Sequence, residues 1–341
     1  MSSPQRRRAL RATGLRLAKV EGLTIRRQRC GRGFTYQDEA GQRIDDAETL
    51  QRIRSLAIPP AYKEVCISPD PRGHLQAVGR DAAGRLQYRY HPGWEEVREA
   101  EKVERLSQFC ASLPRLRRRV RRDLRKEGLT RERVLAGIVL IIDRTHIRIG
   151  CEDYVHSGRT RGAATLLKRN VHCDGKQLSL TFRGKGGREI RCELAHPSLT
   201  ALARELHALP GRRFFQYRDA HGKRHKVTAG EVNAYLREAA GAPVTAKDFR
   251  SLTATAAAGQ RLARLQPEPR ERARNRQIAT VMHEVAEMLS NTPAVVRRSY
   301  VHRCVVQAFT GGTLAGRFAK CRPADSLSRA ETLVAQLVWK R

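Results

Sequence analysis

Between Gly22 and Tyr90 apolar and polar residues alternate in short stretches: Leu23-Thr24-Ile25, Gly31-Arg32-Gly33-Phe34-Thr35-Tyr36, Val65-Cys66-Ile67-Ser68 and Leu86-Gln87-Tyr88-Arg89-Tyr90. A period of two predicts β-strands. Ala82-Ala83-Gly84-Arg85 reads as a hairpin turn between Gln76–Arg80 and Leu86–Tyr90, and His91-Pro92-Gly93 ends the second strand. Beyond this point the period lengthens to about 3.6. Val97, Val103, Leu106, Cys110 and Leu113 form one stripe of an amphipathic helix that Pro114 is expected to end.

The following stretch, Arg115 to Lys126, carries Leu116, Val120 and Leu124 on a narrow apolar face. Its many arginines suit either a phosphate backbone or a plain solvated surface. The apolar run Val134 to Ile142 reads as a buried helix, far short of the roughly 20 residues that span a bilayer. Capping boxes at Thr228-Ala229-Gly230-Glu231 and Ser328-Arg329-Ala330-Glu331 mark two further helix starts. Ile278, Val281, Met282, Val285, Met288 and Leu289 make one face of a helix from Arg272 to Leu289, and Asn291-Thr292-Pro293 begins another, on which Tyr300 is expected to lie. One β excursion interrupts the helical half: Gln177–Phe182 and Glu189–Leu194 alternate around Gly184-Lys185-Gly186-Gly187, a hairpin with a lysine near its tip.

The pattern gives an α+β chain in three parts: a basic N-terminal extension over 1–21, a small mostly β domain over 22–92 and a larger mostly helical domain over 93–341. Charge changes the picture. Lys and Arg number 67 against 34 Asp and Glu, a formal net charge of +33. Such an excess must be offset by an anionic partner. The basic residues run through the whole chain instead of forming one juxtamembrane cluster, so nucleic acid is favoured over a membrane surface. Arginine interrupts the segment after Arg8, so no signal-peptide core forms, and a cytoplasmic, nucleoid-associated protein is expected. Eight cysteines without a Cys-x-x-Cys pair argue against a zinc or disulfide framework.

Singly, the residues that could carry chemistry have ordinary explanations: Arg148 as a surface cation, Lys185 as a turn lysine, Arg250 as a partner of Asp248, Tyr300 as a packing residue. Their order along the chain is more telling. The segments Ile147-Arg148-Ile149-Gly150, Ala164-Thr165-Leu166, Phe182-Arg183-Gly184-Lys185, Lys247-Asp248-Phe249-Arg250 and Asn291-Thr292-Pro293 through Ser299-Tyr300 resemble type IB DNA topoisomerases, in particular their compact bacterial and poxvirus-like branch. Ile58-Pro59-Pro60-Ala61-Tyr62, Gln76, Gly79-Arg80-Asp81 and Gln87–Pro92 resemble the same branch, so the likeness covers roughly Gly22 to Gly312.

The resemblance implies the DNA breaking–rejoining fold, clamped as a monomer around double-stranded DNA, with no cofactor and no metal. It implies a catalytic set of Tyr300, Arg148, Lys185, Arg250 and Asn291, and DNA contacts from Gln76, Arg80, Tyr88, Tyr90, Thr165, Lys168 and Lys247. For Tyr88 and Tyr90 a core role competes with DNA contact, since aromatic residues at alternate strand positions are more often core. Asn291 and Asn170 stand where many relatives carry histidine. Asn291 can donate a neutral hydrogen bond to a phosphate oxygen, or simply cap the following helix.

Chemistry supports these roles. A phosphodiester passing to a phenol develops charge on its non-bridging oxygens, which planar, permanently charged guanidiniums can hold in pairs. The departing DNA 5′ hydroxyl needs a proton, and a lysine on a hairpin tip can enter the groove to supply it. Tyr300 would retain the bond energy as a 3′-phosphotyrosyl link, so resealing would require neither ATP nor metal, and relaxation of both supercoil signs is expected. The chain also lacks a Walker-type glycine loop and a carboxylate cluster with ligand spacing. Two other readings compete: a tyrosine recombinase, which typically has histidine where Lys247 stands, and a non-catalytic basic DNA-binding protein, for which charge alone would suffice.

Overall fold

The computed structural model describes residues 4–152 and 160–339; the first residues of the basic N-terminal stretch and the last of the basic C-terminal tail lie outside them. The architecture is α+β, and the chain divides into two compact units, Met1–Glu104 and Arg105–Arg341.

The first unit is built on the alternation read above. Strands β1 (Ile25–Cys30), β2 (Gly33–Gln37), β3 (Lys63–Ile67), β4 (Leu75–Arg80) and β5 (Leu86–Tyr90) form one antiparallel sheet in the order β2-β1-β3-β4-β5. Gly84 turns β4 into β5 with a left-handed φ of 73°, a conformation that favours glycine. Ile25, Val65, Ile67 and Ala77 meet Ile53 of α2 (Ala47–Ser55), a helix the alternating pattern did not announce. A basic helix, α1 (Pro4–Thr13), precedes the sheet, and Leu10 and Leu15 pack on Trp94 and Val97.

Helix α3 runs from Trp94 to Leu124 without ending at Pro114, contrary to the expectation from sequence. Proline removes one backbone hydrogen bond and crowds the preceding turn, at a cost of about 3 kcal/mol. Phe109, Leu113, Leu116 and Val120 on either side of it are buried, and burying one such side chain contributes roughly 1.5–3 kcal/mol, so two already offset the proline. The arginine-rich half of α3 is also less free than its composition suggests. Arg117 clamps Asp143 and Glu331 at 2.8 Å each, and Arg119 holds the fully buried Asp123 at 2.6 Å. Other arginines of the run, among them Arg118, Arg121 and Arg125, face outward.

The second unit is mainly helical. Its buried α4 (Arg131–Thr145) carries the apolar run from Val134 to Ile142. Strands β6 (Val171–Asp174), β7 (Gln177–Arg183) and β8 (Glu189–Ala195) form an antiparallel sheet whose β7–β8 turn is the lysine hairpin. After α5 (Pro197–Ala208) and the short pair β9 (Gln216–Arg218) and β10 (Arg224–Lys226) come α6 (Ala229–Ala240) and α7 (Ala246–Leu262). Then follow α8 (Glu271–Met288), α9 (Pro293–Ser299), α10 (Arg303–Thr310), α11 (Leu314–Lys320) and α12 (Arg329–Val338). The capping boxes at Thr228 and Ser328 begin α6 and α12.

One core joins α7 to α12: Ala254, Ala258 and Leu262 of α7 meet Val281 and Val285 of α8, Val305 of α10, Leu314 of α11 and Leu333 of α12. Much of the basic C-terminal stretch is thus packed structure. Tyr300 is not on a helix. It closes α9 with φ −124° and ψ −53°, and Cys304 belongs to the next helix, because the backbone breaks between Ser299 and Arg303. Among the described residues no helix is long and apolar enough to cross a membrane.

Candidate active site

The site is assembled by helix ends and glycine crossings inside the second unit. Arg148 follows the end of α4 in an extended stretch braced by two backbone bonds, Ala163 N–H to the Arg148 carbonyl at 2.9 Å and Ala164 N–H to the Ile149 carbonyl at 2.7 Å. The two segments approach so closely that a Cβ on Gly162 would lie 2.4 Å from the Arg148 carbonyl oxygen. Gly150 opposite has φ +82°. Only glycine allows this crossing, which fixes the backbone of Arg148.

Arg250 is set by α7. The Asp248 carboxylate accepts the Thr245 backbone N–H at 2.7 Å, and Arg105 grips Asp248 at 2.5 and 2.9 Å, so the first turn of the helix is tied at both ends. The Arg250 guanidinium, 4% exposed, donates to the His146 carbonyl at the end of α4 and to the Leu289 carbonyl at the end of α8, the latter at 2.8 Å. Its buried Nε has no partner among the described residues. An unpaired buried donor on a permanent cation is costly unless a ligand satisfies it.

One turn further along α7, Thr255 Oγ1 accepts the His302 N–H at 3.1 Å and shares its one hydroxyl proton between the Ser251 carbonyl at 2.7 Å and the Tyr300 carbonyl at 3.2 Å. The same helix therefore positions both Arg250 and Tyr300. The Arg250 guanidinium carbon lies 5.2 Å from the centre of the Tyr300 ring. Burial pushes the Tyr300 phenol up, but the charge and hydrogen bond of Arg250, followed by the charges of Arg148 and Lys247, outweigh it and leave the phenol below its ordinary value. For Arg250 burial dominates, then the like charge of Arg148; both lower its pKa.

A pocket of about 240 Å³ gathers Arg148, Lys185, Lys247, Arg250 and Tyr300 on its walls. Asn291 joins through its side chain: its Oδ1 accepts from Arg148, while its buried Nδ2 has no partner among the described residues. The five expected catalytic side chains thus come together although the first and last are 152 positions apart, 300 less 148. The arrangement gathers donors and positive charge around the phenol, and two of those donors, Arg250 Nε and Asn291 Nδ2, are buried with no hydrogen-bond partner among the described residues.

The expected DNA contacts divide. Lys247 is exposed at the pocket, and Tyr88 and Tyr90 stack at 6.2 Å on the open face of β5, 44% and 40% exposed, so the alternative of a core role does not hold. Arg80 is exposed but paired with Glu64 at 2.8 Å. Gln76, Thr165 and Lys168 are instead turned inward. Gln76 is 1% exposed and bonds Gly73 and Arg52; Thr165 is 2% exposed and holds Gly162; Lys168 donates to the His207 and Leu209 carbonyls. Each satisfies backbone or charge that folding buries, a demand invisible in the local sequence. Asn170 ties the Leu167 N–H to the Thr181 carbonyl, both at 3.0 Å, and so anchors β7.

Sequence reading missed Arg161, which lines the same pocket, and the supporting Arg105, His146 and Thr255. Nothing in their neighbours along the chain distinguishes them.

Comparison with known proteins agrees with this arrangement. The family described as "Bacterial DNA topoisomerase IB, N-terminal domain" matches residues 33–81, and "Eukaryotic DNA topoisomerase I, catalytic core" matches residues 92–311, more than half of the chain. The chain is also 29% identical over 292 residues to the DNA topoisomerase 1B of Acanthamoeba polyphaga mimivirus, covering 84% of this chain and 87% of the relative. The chain belongs to the type IB DNA topoisomerase family, whose members are type I DNA topoisomerases. Membership sets aside the recombinase and the non-catalytic readings.

Proposed function

We propose that the chain relaxes positive and negative supercoils by cutting one DNA strand through a 3′-phosphotyrosyl intermediate on Tyr300. The observation that carries this reading is the Tyr300 phenol, held beside Arg250 and facing a pocket it shares with Arg148 and Lys185. In cleavage the Tyr300 phenolate, its proton already lost to solvent, forms a bond to the scissile phosphorus. The bond to the 5′ oxygen breaks, and Lys185 gives that oxygen a proton. Arg148, Arg250 and Asn291 donate to the non-bridging oxygens as their charge grows. The exchange is nearly isoenergetic, one phosphoester for another, so reversal reseals the strand without ATP, and the protein's own cations supply the charge a metal ion would otherwise bring.

The first unit would hold duplex DNA through its basic surface and the exposed Tyr88 and Tyr90, with the protein acting as a monomer. The test is relaxation of positively and negatively supercoiled plasmid in excess chelator without nucleotide. Both should relax fully; dependence on ATP or a divalent ion, or relaxation of one sign only, would contradict the proposal.

The lowered phenol pKa gives a sign to the pH dependence. The phenolate is the attacking form, so single-turnover cleavage should rise with pH and level off below the ordinary phenol value of about 10. Lys247→Gln removes one of the cations favouring phenolate, which raises the phenol pKa and moves the profile to higher pH. A profile unmoved, or moved to lower pH, would separate Lys247 from the nucleophile.

A further inference from the structure

At the hairpin tip Gly186 and Gly187 have φ of 78° and 74°, and a Cβ on either would meet none of the described residues within 4 Å, so these two glycines add no packing to the turn. Beneath the hairpin lies a cavity of about 250 Å³, with Gly184, Ile190 and Cys192 on one side and Glu287, Leu289 and Ser290 on the other. The base of β7 is anchored, by Asn170 to Thr181 and by the Arg161 N–H to the Arg183 carbonyl at 2.7 Å. The tip is joined to the start of α9 by Arg188, whose Nη1 donates to the Asn291 carbonyl at 3.1 Å.

Arg188 and Lys185 move as one turn, because the Gly184 N–H bonds the Arg188 carbonyl at 2.8 Å and the Gly187 N–H bonds the Gly184 carbonyl at 3.1 Å. The residue Arg188 grips is the one whose side chain accepts from Arg148. A continuous path therefore runs from the lysine tip through Arg188 and Asn291 to the Arg148 guanidinium.

We propose that Arg188 is a positioning residue that sets the Lys185 ammonium in register with the Arg148–Asn291 half of the site. The inference rests on the assignment of Lys185 as the acid that protonates the leaving 5′ oxygen. If Arg188 acts only through Lys185, its loss matters only when that proton is needed.

The experiment measures single-turnover cleavage of a suicide duplex carrying either the ordinary 5′ oxygen or a bridging 5′ sulfur at the scissile phosphate. A thiolate leaves without a proton. Arg188→Ala should cleave the oxygen substrate about tenfold more slowly, the loss of population that follows from removing one hydrogen bond, and the sulfur substrate at close to the wild-type rate. Lys185→Ala with Arg188→Ala should be no slower on oxygen than Lys185→Ala alone, and Arg188→Lys, which keeps a donor, should recover part of the rate.

Equal slowing of both substrates by Arg188→Ala would overturn the inference, since a misfolded site or a lost phosphate contact acts regardless of the leaving group. Unchanged rates on both, or a double variant slower than Lys185→Ala, would overturn it too. The two ideas fail separately: sulfur that does not rescue Lys185→Ala removes the acid assignment, whereas sulfur that rescues Lys185→Ala but not Arg188→Ala removes the role given to Arg188.

Discussion

Tyr300→Phe should leave a folded protein that binds DNA and forms no covalent adduct, with relaxation reduced by about 10⁴-fold or more, the scale on which removal of a covalent nucleophile acts. The ring stays packed against the α7–α12 core, and the backbone stays pinned by Thr255, since that contact uses the Tyr300 carbonyl and not its phenol. Only the hydroxyl is removed, so stability should change by no more than about 1 kcal/mol. The check is trapping on a suicide duplex followed by denaturing electrophoresis, with thermal unfolding alongside. An adduct formed equally by the variant would place the nucleophile elsewhere in the chain.

Lys185→Ala carries the second large effect. Loss of a positioned general acid should slow cleavage of ordinary DNA by about 10²- to 10⁴-fold. Lys185 stands exposed on a glycine-rich turn, so its truncation leaves the core untouched. With a bridging sulfur as leaving group the variant should return close to the wild-type rate on that substrate. Arg250→Ala should behave differently. Its guanidinium is buried against the His146 and Leu289 carbonyls and faces the phenol, and its proposed role is to stabilise charge on the non-bridging oxygens and on Tyr300. Charge at those atoms develops whatever group departs, so sulfur should not rescue it. Rescue of Arg250→Ala and not of Lys185→Ala would exchange the two roles.

What could be read from the chain alone was what local forces settle. The β7–β8 hairpin follows from alternation around Gly184-Lys185-Gly186-Gly187, because strand pairing and turn geometry act over a few residues. The helix starts at Thr228 and Ser328 follow from side chains that reach only three positions. The ordered set Arg148, Lys185, Arg250, Asn291 and Tyr300 was also legible, through the motifs surrounding it rather than through any periodicity.

Where the reading departed from the structure, distant packing had outweighed a local signal. Helix α3 passes Pro114 because side chains buried on both sides offset one missing hydrogen bond. Gln76, Thr165 and Lys168 have polar side chains suited to DNA, yet buried backbone groups needed those donors and acceptors first. The sequence by itself determined which side chains could perform the chemistry and which short segments would carry them. Only the folded chain brings Arg250 to the ends of both α4 and α8, Thr255 to the backbone at Tyr300 and Arg188 to the Asn291 carbonyl. These contacts join positions 39 to 104 residues apart, and nothing in the intervening chain encodes them except the complementary surfaces that folding brings together.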